Sequence, residues 1–253
     1  MESKKLIYQE GKGLHMIIST LKRAINTLGY DITKYKNIKN RKDIYSDIQI
    51  KSAENIVDVD SLGNSSLSIP GMIAARSGQF LYTLCYFQTL AGDVVEIGSW
   101  QGRSTMFIAM AAKNSGNGKV FAIDHFHGTS GKEKYFRVDK DDLSDLKSNF
   151  ITNMEELDLL DSINLLDMSS EKAAQHIDDG SVRFLFIDGE HTKEGVQKDI
   201  ELFYPKLKKN SIIVFDDYSL KYTGVVEAVD SLISEKQFSR MMTYDRTLIL
   251  KVE

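Results

Sequence analysis

Asp188, Asp216 and Asp217 stand at the ends of two apolar runs, Arg183-Phe184-Leu185-Phe186-Ile187 and Ser211-Ile212-Ile213-Val214-Phe215. Carboxylates delivered by neighbouring strands would lie close together and repel one another. A hard divalent cation, Mg²⁺ or Mn²⁺, resolves that repulsion, because carboxylate oxygens and water suit it as ligands. The plainer alternative is a turn at Asp188-Gly189 and a helix cap at Asp216-Asp217. His191 follows shortly after Asp188, at the start of the next helix. An imidazole with an ordinary pKa of about 6.5 suits proton removal near neutral pH. The alternative for His191 is a surface or metal-neighbouring histidine.

A second group surrounds the turn Glu96-Ile97-Gly98-Ser99-Trp100-Gln101-Gly102. Val94, Val95 and Ile97 read as a strand buried on both faces. Gly98 and Gly102 flank a turn where a side chain would block approach to the backbone, and a helix starts at Arg103. Free N–H groups at that helix start, behind a glycine turn, form the usual cradle for a nucleotide-like cofactor. Tight glycine turns also serve packing alone. Asp124 ends the next strand, where an acid can accept hydrogen bonds from both hydroxyls of a ribose. An ordinary turn-capping aspartate is the other reading. His125, His127 and the residues to Asp141 form a polar, glycine-bearing loop, read as a lid or substrate loop. Ser169 falls at the end of a third strand.

The elements that position these residues alternate. Strands are expected at Val94–Ile97, Lys119–Asp124, Ser162–Asp167, Arg183–His191 (ending in Asp188, Glu190 and His191), Ser211–Tyr218, Met241–Tyr244 and Leu248–Val252. Helices are expected from Pro70 to about Leu90, Arg103 to Ala112, Leu143 to Leu160, Glu171 to Ile177 and Thr223 to Ser234. Another carries Val196, Ile200, Phe203 and Leu207 on one face, with Asn210 as a left-handed C-cap. The alternation predicts an α/β fold: a doubly wound, mostly parallel seven-stranded sheet with an antiparallel C-terminal edge. The last two strands close as a hairpin around Asp245-Arg246. Ligands of such a sheet bind beyond the carboxyl ends of its strands, where all the residues singled out above fall.

Residues 1–66 form an N-terminal helical and loop extension, and residues 67–253 the main domain. Leu14 to Leu28 has helical spacing, and a basic, tyrosine-bearing stretch follows. That stretch reads as a solvated segment or as a weak contact for anionic lipid or a phosphate-bearing glycan. The 253 residues carry a net charge of −4, which argues against a general nucleic-acid binder. Cys85 is the only cysteine, so neither a disulfide framework nor a thiolate zinc site is available. No apolar run reaches membrane-spanning length, and the first residues lack a signal-peptide core, so a cytoplasmic setting is expected.

The turn Glu96 to Thr105, with Asp124 beyond it, resembles the first motifs of class I S-adenosylmethionine (SAM)-dependent methyltransferases, whose sheet is Rossmann-like. Ile187-Asp188-Gly189-Glu190-His191-Thr192 and Phe215-Asp216-Asp217-Tyr218 resemble the metal-dependent O-methyltransferases of macrolide and aminocoumarin sugars. The resemblance spans roughly Gly71 to Val252. It implies that Glu96, Gly98, Ser99 and Gly102 hold the methionine part of SAM. It puts Asp124 on the ribose, His125 beside the adenine and Ser169 at its border. Asp188, which also borders the cofactor, would bind Mg²⁺ or Mn²⁺ with Asp216 and Asp217. His191 or Asp188 would be the base. Many relatives carry Gly-Asp where this chain has Asp167-Met168 before the serine. The implied acceptor is a hydroxyl of a small molecule or glycan, a sugar above all. The N-terminal helices are a candidate for pairing subunits.

Two other readings compete. A nicotinamide (NAD) dehydrogenase shares the strand, turn and ribose acid, but wants a tighter Gly-x-Gly-x-x-Gly turn and a Tyr-x-x-x-Lys pair. A non-catalytic module holding SAM or a glycan would not need the acids together.

Overall fold

The computed structural model describes residues 58–128, 145–235 and 238–253. The Leu14–Leu28 helix, the basic stretch after it and most of the loop to Asp141 lie outside the described residues. Val57–Glu253 form one compact unit. Helix α1 (Val59–Ser66) falls inside it, ahead of the expected boundary at 66–67. The Asp58 carboxylate caps α1 by accepting from the N–H groups of Asp60 and Ser61.

Seven strands form one sheet. They are β1 (Asp93–Ile97), β2 (Val120–Asp124), β3 (Ile163–Asp167), β4 (Val182–Ile187), β5 (Leu207–Phe215), β6 (Phe238–Tyr244) and β7 (Thr247–Val252). Their order is β3-β2-β1-β4-β5-β7-β6. The first five pair in parallel, and β7 runs antiparallel to both β5 and β6. The expected Rossmann-like sheet with an antiparallel edge is therefore present.

The central strands are apolar on both sides because helices cover both faces. Val95, Ile97, Leu185, Ile187, Ile213 and Phe215 pack with helices α6 (Lys193–Phe203) and α7 (Thr223–Glu235). Their pleat neighbours Val94, Phe184, Phe186, Ile212 and Val214 are equally buried. Helix α3 (Arg103–Ser115) contacts β1 and β2 and packs on α2 (Ala75–Phe87). The remaining α-helices among the described residues are α4 (Leu146–Glu156) and the single turn α5 (Ser170–Ala173).

One expectation at an element boundary is corrected. The helix expected to reach Leu207 stops at Phe203. Pro205 sits in the short 3₁₀ turn that follows, since it has no N–H to continue an α-helix. Leu207 opens β5 instead. Asn210 does adopt a left-handed conformation, φ 68°, but within β5 and not at a helix end. There the register slips: Val182 faces Leu207, whereas Phe184 faces Ile212. A bulge accommodates the extra residues, and asparagine tolerates the left-handed backbone that it requires.

Because β7 is antiparallel to β5, it begins at the end of the sheet where β5 finishes. The β6–β7 turn, Asp245-Arg246, is thereby carried to the carboxyl edge, beside Asp216 and Asp217.

Candidate active site

The turn after β1 is built by two glycines in conformations that other residues resist. Gly98 has φ 89°, and a Cβ there would collide with the carbonyl oxygen of Asp188. Gly102 has φ 94° and precedes α3, with Met154 Cε 2.7 Å from where a Cβ would stand. The first glycine thus lets the β1 turn lie directly against the β4 end, so the two candidate groups adjoin.

Glu96 is fully buried. Thr105 donates its hydroxyl hydrogen bond to Glu96 Oε2. Burial pushes the carboxyl up to about 7; the hydroxyls of Ser104, Thr105 and Ser99 oppose this, and the charge of Asp124 adds to it. Although Ser99 lies close enough to ease the charge, neither its Oγ nor Glu96 Oε1 has a hydrogen-bond partner within the protein, and both atoms are buried. Such orphaned polar atoms are costly and point to a ligand.

Asp124 behaves as a turn former. It accepts from Trp100 N–H at 2.8 Å and from Phe126 N–H at 2.7 Å. These bonds fix the β1 turn to the end of β2, with Trp100 held at φ 48°. Each carboxylate oxygen keeps a second lone pair for a ligand. His125 is exposed, and its Nδ1 accepts from His127 N–H at 3.1 Å. Ser169 is exposed at the start of α5, and its side chain makes no capping bond.

At the ends of β4 and β5 the structure gathers Asp188, His191 and Asp217, with one potential ligand atom from each lying within 4.8 Å of the others. His191 Nε2 is 3.0 Å from Asp217 Oδ2, and both side chains are nearly buried, at 11% and 7% exposure. The imidazole lies tilted against the Tyr222 ring, with ring centroids 4.8 Å apart. Asp217 reaches this position from a left-handed backbone, φ 55°. Asp216 is not part of that group. Its Oδ1 accepts from the Thr247 hydroxyl at 3.0 Å, and its Oδ2 lies 3.9 Å from Arg246 Nη2. Sequence reasoning expected three aspartates; the compact set holds two with a histidine.

Arg246 was missed. Its Nη1 is 2.6 Å from Asp217 Oδ1. Burial disfavours its charge, but Asp217 and Asp216 outweigh burial and hold the guanidinium above its usual value. Topology carried the signal: an antiparallel strand beside β5 must start over the acids. The Asp188 carboxyl is pushed well above the ordinary range, first by burial and then by the charges of Asp216, Asp217 and Glu96. Asp216 is raised by burial and by Asp217.

The family model described as a methyltransferase domain matches residues 95–218. Solved structures share the fold. The O-methyltransferase NovP is 20% identical with a TM-score of 0.59, over 72% of this chain and 81% of that one. The S-adenosylhomocysteine-bound methyltransferase PaMTH1 of Podospora anserina is 12% identical with a TM-score of 0.58, covering 84% and 95%. TomG of Streptomyces achromogenes, an O-methyltransferase involved in tomaymycin synthesis and solved with SAM, is 15% identical with a TM-score of 0.54, covering 84% and 96%. Sheet order, glycine turn and domain match define the class as a Rossmann-like methyltransferase domain. Residues 95–218 carry the methyltransferase domain of this chain. Among the described residues, no helix is long and apolar enough to cross a membrane.

Proposed function

We propose that the chain is a SAM-dependent O-methyltransferase assisted by Mg²⁺ or Mn²⁺, acting on a hydroxyl of a sugar or sugar-bearing small molecule. The observation that carries this reading is the abutment of Gly98 on Asp188, which sets a cofactor turn against an acidic cluster. The residues fit both groups. Glu96 Oε1 and Ser99 Oγ are buried without partners, as acceptors for an ammonium would be before binding. Asp188 and Asp217 offer two carboxylate oxygens within reach of one cation, a donor set that suits Mg²⁺ or Mn²⁺, with His191 beside them.

When bound, SAM supplies a methyl group made electrophilic by its sulfonium, and a divalent cation lowers the pKa of a hydroxyl it contacts. Glu96, Ser99 and the N–H groups behind Gly98 and Gly102 hold the amino-acid end of the cofactor. Asp124, with its backbone bonds already made, offers spare lone pairs to a ribose, and His125 and Ser169 flank the base. Asp188 and Asp217 would hold the cation. His191 takes the acceptor proton on its imidazole, and Asp217 Oδ2, 3.0 Å from Nε2, stabilises the resulting imidazolium. Asp216 is anchored by Thr247 and steadies the pair from behind. A substrate with two neighbouring hydroxyls, as on a sugar, would be fixed in which oxygen it presents.

The test is release of S-adenosylhomocysteine, with a matching gain of one methyl in the acceptor, from a panel of sugars, glycosides and catechols. Turnover is expected with Mg²⁺ or Mn²⁺ and its loss in chelator. Full turnover in chelator would remove the cation from the reading; turnover with catechols alone would remove the sugar.

Glu96 makes a separate prediction. Its carboxyl sits near 7 in the free protein, and an ammonium partner pulls it down. Binding therefore requires the ionised form and releases a proton below that pH. SAM affinity should fall about tenfold per pH unit below pH 7 and level off above it. Calorimetry in buffers of different ionisation enthalpy reads both the affinity and the proton. Glu96→Gln should weaken binding and flatten the profile; a wild-type affinity constant between about pH 5.5 and 8 would contradict the assignment.

A further inference from the structure

Three acids converge at the ends of β4 and β5, and the fold delivers a cation of its own to them. Arg246 lies in the β6–β7 turn, with its side chain one-third exposed, and reaches from the solvent edge to two nearly buried carboxylates. Its Nη1 is 2.6 Å from Asp217 Oδ1, and its Nη2 is 3.9 Å from Asp216 Oδ2. Asp217 is thus bracketed, by the guanidinium on one oxygen and by His191 Nε2 at 3.0 Å on the other. Arg246 sets one positive charge against the carboxylates of Asp216 and Asp217. A cation settling on Asp217 must share that carboxylate with the guanidinium or displace it, against the repulsion of like charges.

We propose that Arg246 is a built-in counter-ion of the acidic centre: it keeps Asp216 and Asp217 together in the metal-free protein and lowers the affinity of the centre for a divalent cation. The inference rests on the metal-assisted reading given above and assigns a role to a residue which that reading does not use. Arg246 is a positioning residue, acting through the carboxylates. Its role is one of charge. A lysine, which keeps the charge without the planar fork, retains most of the effect, whereas glutamine, which keeps hydrogen-bonding capacity without the charge, loses it.

The experiment measures binding of Mn²⁺ to the full chain by electron paramagnetic resonance of the free ion at about pH 8, without SAM, and follows folding by circular dichroism. Arg246→Gln should bind Mn²⁺ at least about tenfold more tightly than the wild type, and Arg246→Lys should stay within about threefold of it. Unchanged or weaker binding by the folded Arg246→Gln protein overturns the proposal, as does a lysine variant that behaves like the glutamine one. Should Arg246→Gln fold only when Mn²⁺ is present, the counter-ion role is supported, because one cation then replaces another. If it folds in neither condition, Arg246 is a requirement of the fold and the proposal falls. Asp188→Asn separates the underlying reading. If the wild type binds no more Mn²⁺ than Asp188→Asn does, the metal centre itself is wrong, and the counter-ion role goes with it.

Discussion

Asp188→Asn is expected to give a protein at least as stable as the wild type at about pH 8, with methyl transfer reduced on the order of 10³-fold. The two effects share one cause. Burial raises the Asp188 carboxyl well above its ordinary value, and the charges of Asp216, Asp217 and Glu96 raise it further. A carboxyl whose folded pKa exceeds its unfolded value, about 3.9, favours the folded state when protonated and progressively loses that advantage as pH rises through the folded pKa. At about pH 8 the wild-type protein without its cation therefore bears an uncompensated cost that asparagine removes. Below about pH 3 both states of the wild type are protonated and the difference should vanish. Asparagine also removes a charged ligand of the proposed cation and a possible proton acceptor. Thermal denaturation across pH in chelator, beside kcat with Mn²⁺, reads both consequences. A variant that loses activity because it unfolds, with its melting temperature below that of the wild type at about pH 8, would show that Asp188 is structural.

Arg183→Met should cost about 3–5 kcal/mol of folding stability without touching the site. Arg183 is fully buried in β4, at the end of the sheet away from the acids. Its guanidinium donates to the carbonyls of Gly92 at 3.1 Å, Cys85 at 2.8 Å and Asn117 at 2.9 Å. One side chain thereby satisfies three separate segments: helix α2, the turn before β1 and the turn before β2. Methionine fills comparable volume but donates nothing, and each stranded carbonyl carries a desolvation cost of about 1–3 kcal/mol. Denaturant unfolding should show a lower midpoint at unchanged slope, with SAM affinity retained under native conditions. A loss below about 1 kcal/mol would mean that water satisfies the carbonyls instead. Cys85 beside it is not reactive: burial pushes its thiol up to about 11, even with Arg183 drawing it down.

The strands were legible because a parallel sheet covered on both faces demands unbroken apolar runs, and Val94–Ile97, Val120–Ile123 and Phe184–Ile187 supply them. The two glycines were legible because a close approach and positive φ leave few alternatives. Less of the acidic centre could be read. Residues at strand ends can be placed at the correct edge, but side-chain direction depends on backbone details beyond the strand. Asp216 turns to Thr247 because β7 lies beside it, while Asp217 turns to His191 from a left-handed backbone. Nothing local distinguishes the two neighbours. Asn210 misled for a related reason: a left-handed asparagine after a helical pattern suits a helix cap, and the bulge that uses it is visible only once β4 and β5 are paired. Arg246 looked like an ordinary turn residue until the antiparallel edge was placed.

That hairpin also imposes an order of events on biosynthesis. The acids at positions 188, 216 and 217 leave the ribosome before position 246 does, so the growing chain carries them for a time without their arginine. A polypeptide cut between Tyr218 and Arg246 would keep the whole parallel half of the sheet while lacking both the strand that seals its edge and the charge that quiets its acids. Such fragments should depend on added divalent salt to stay collapsed, and nonsense truncations in this interval should damage the molecule far more than their short length suggests.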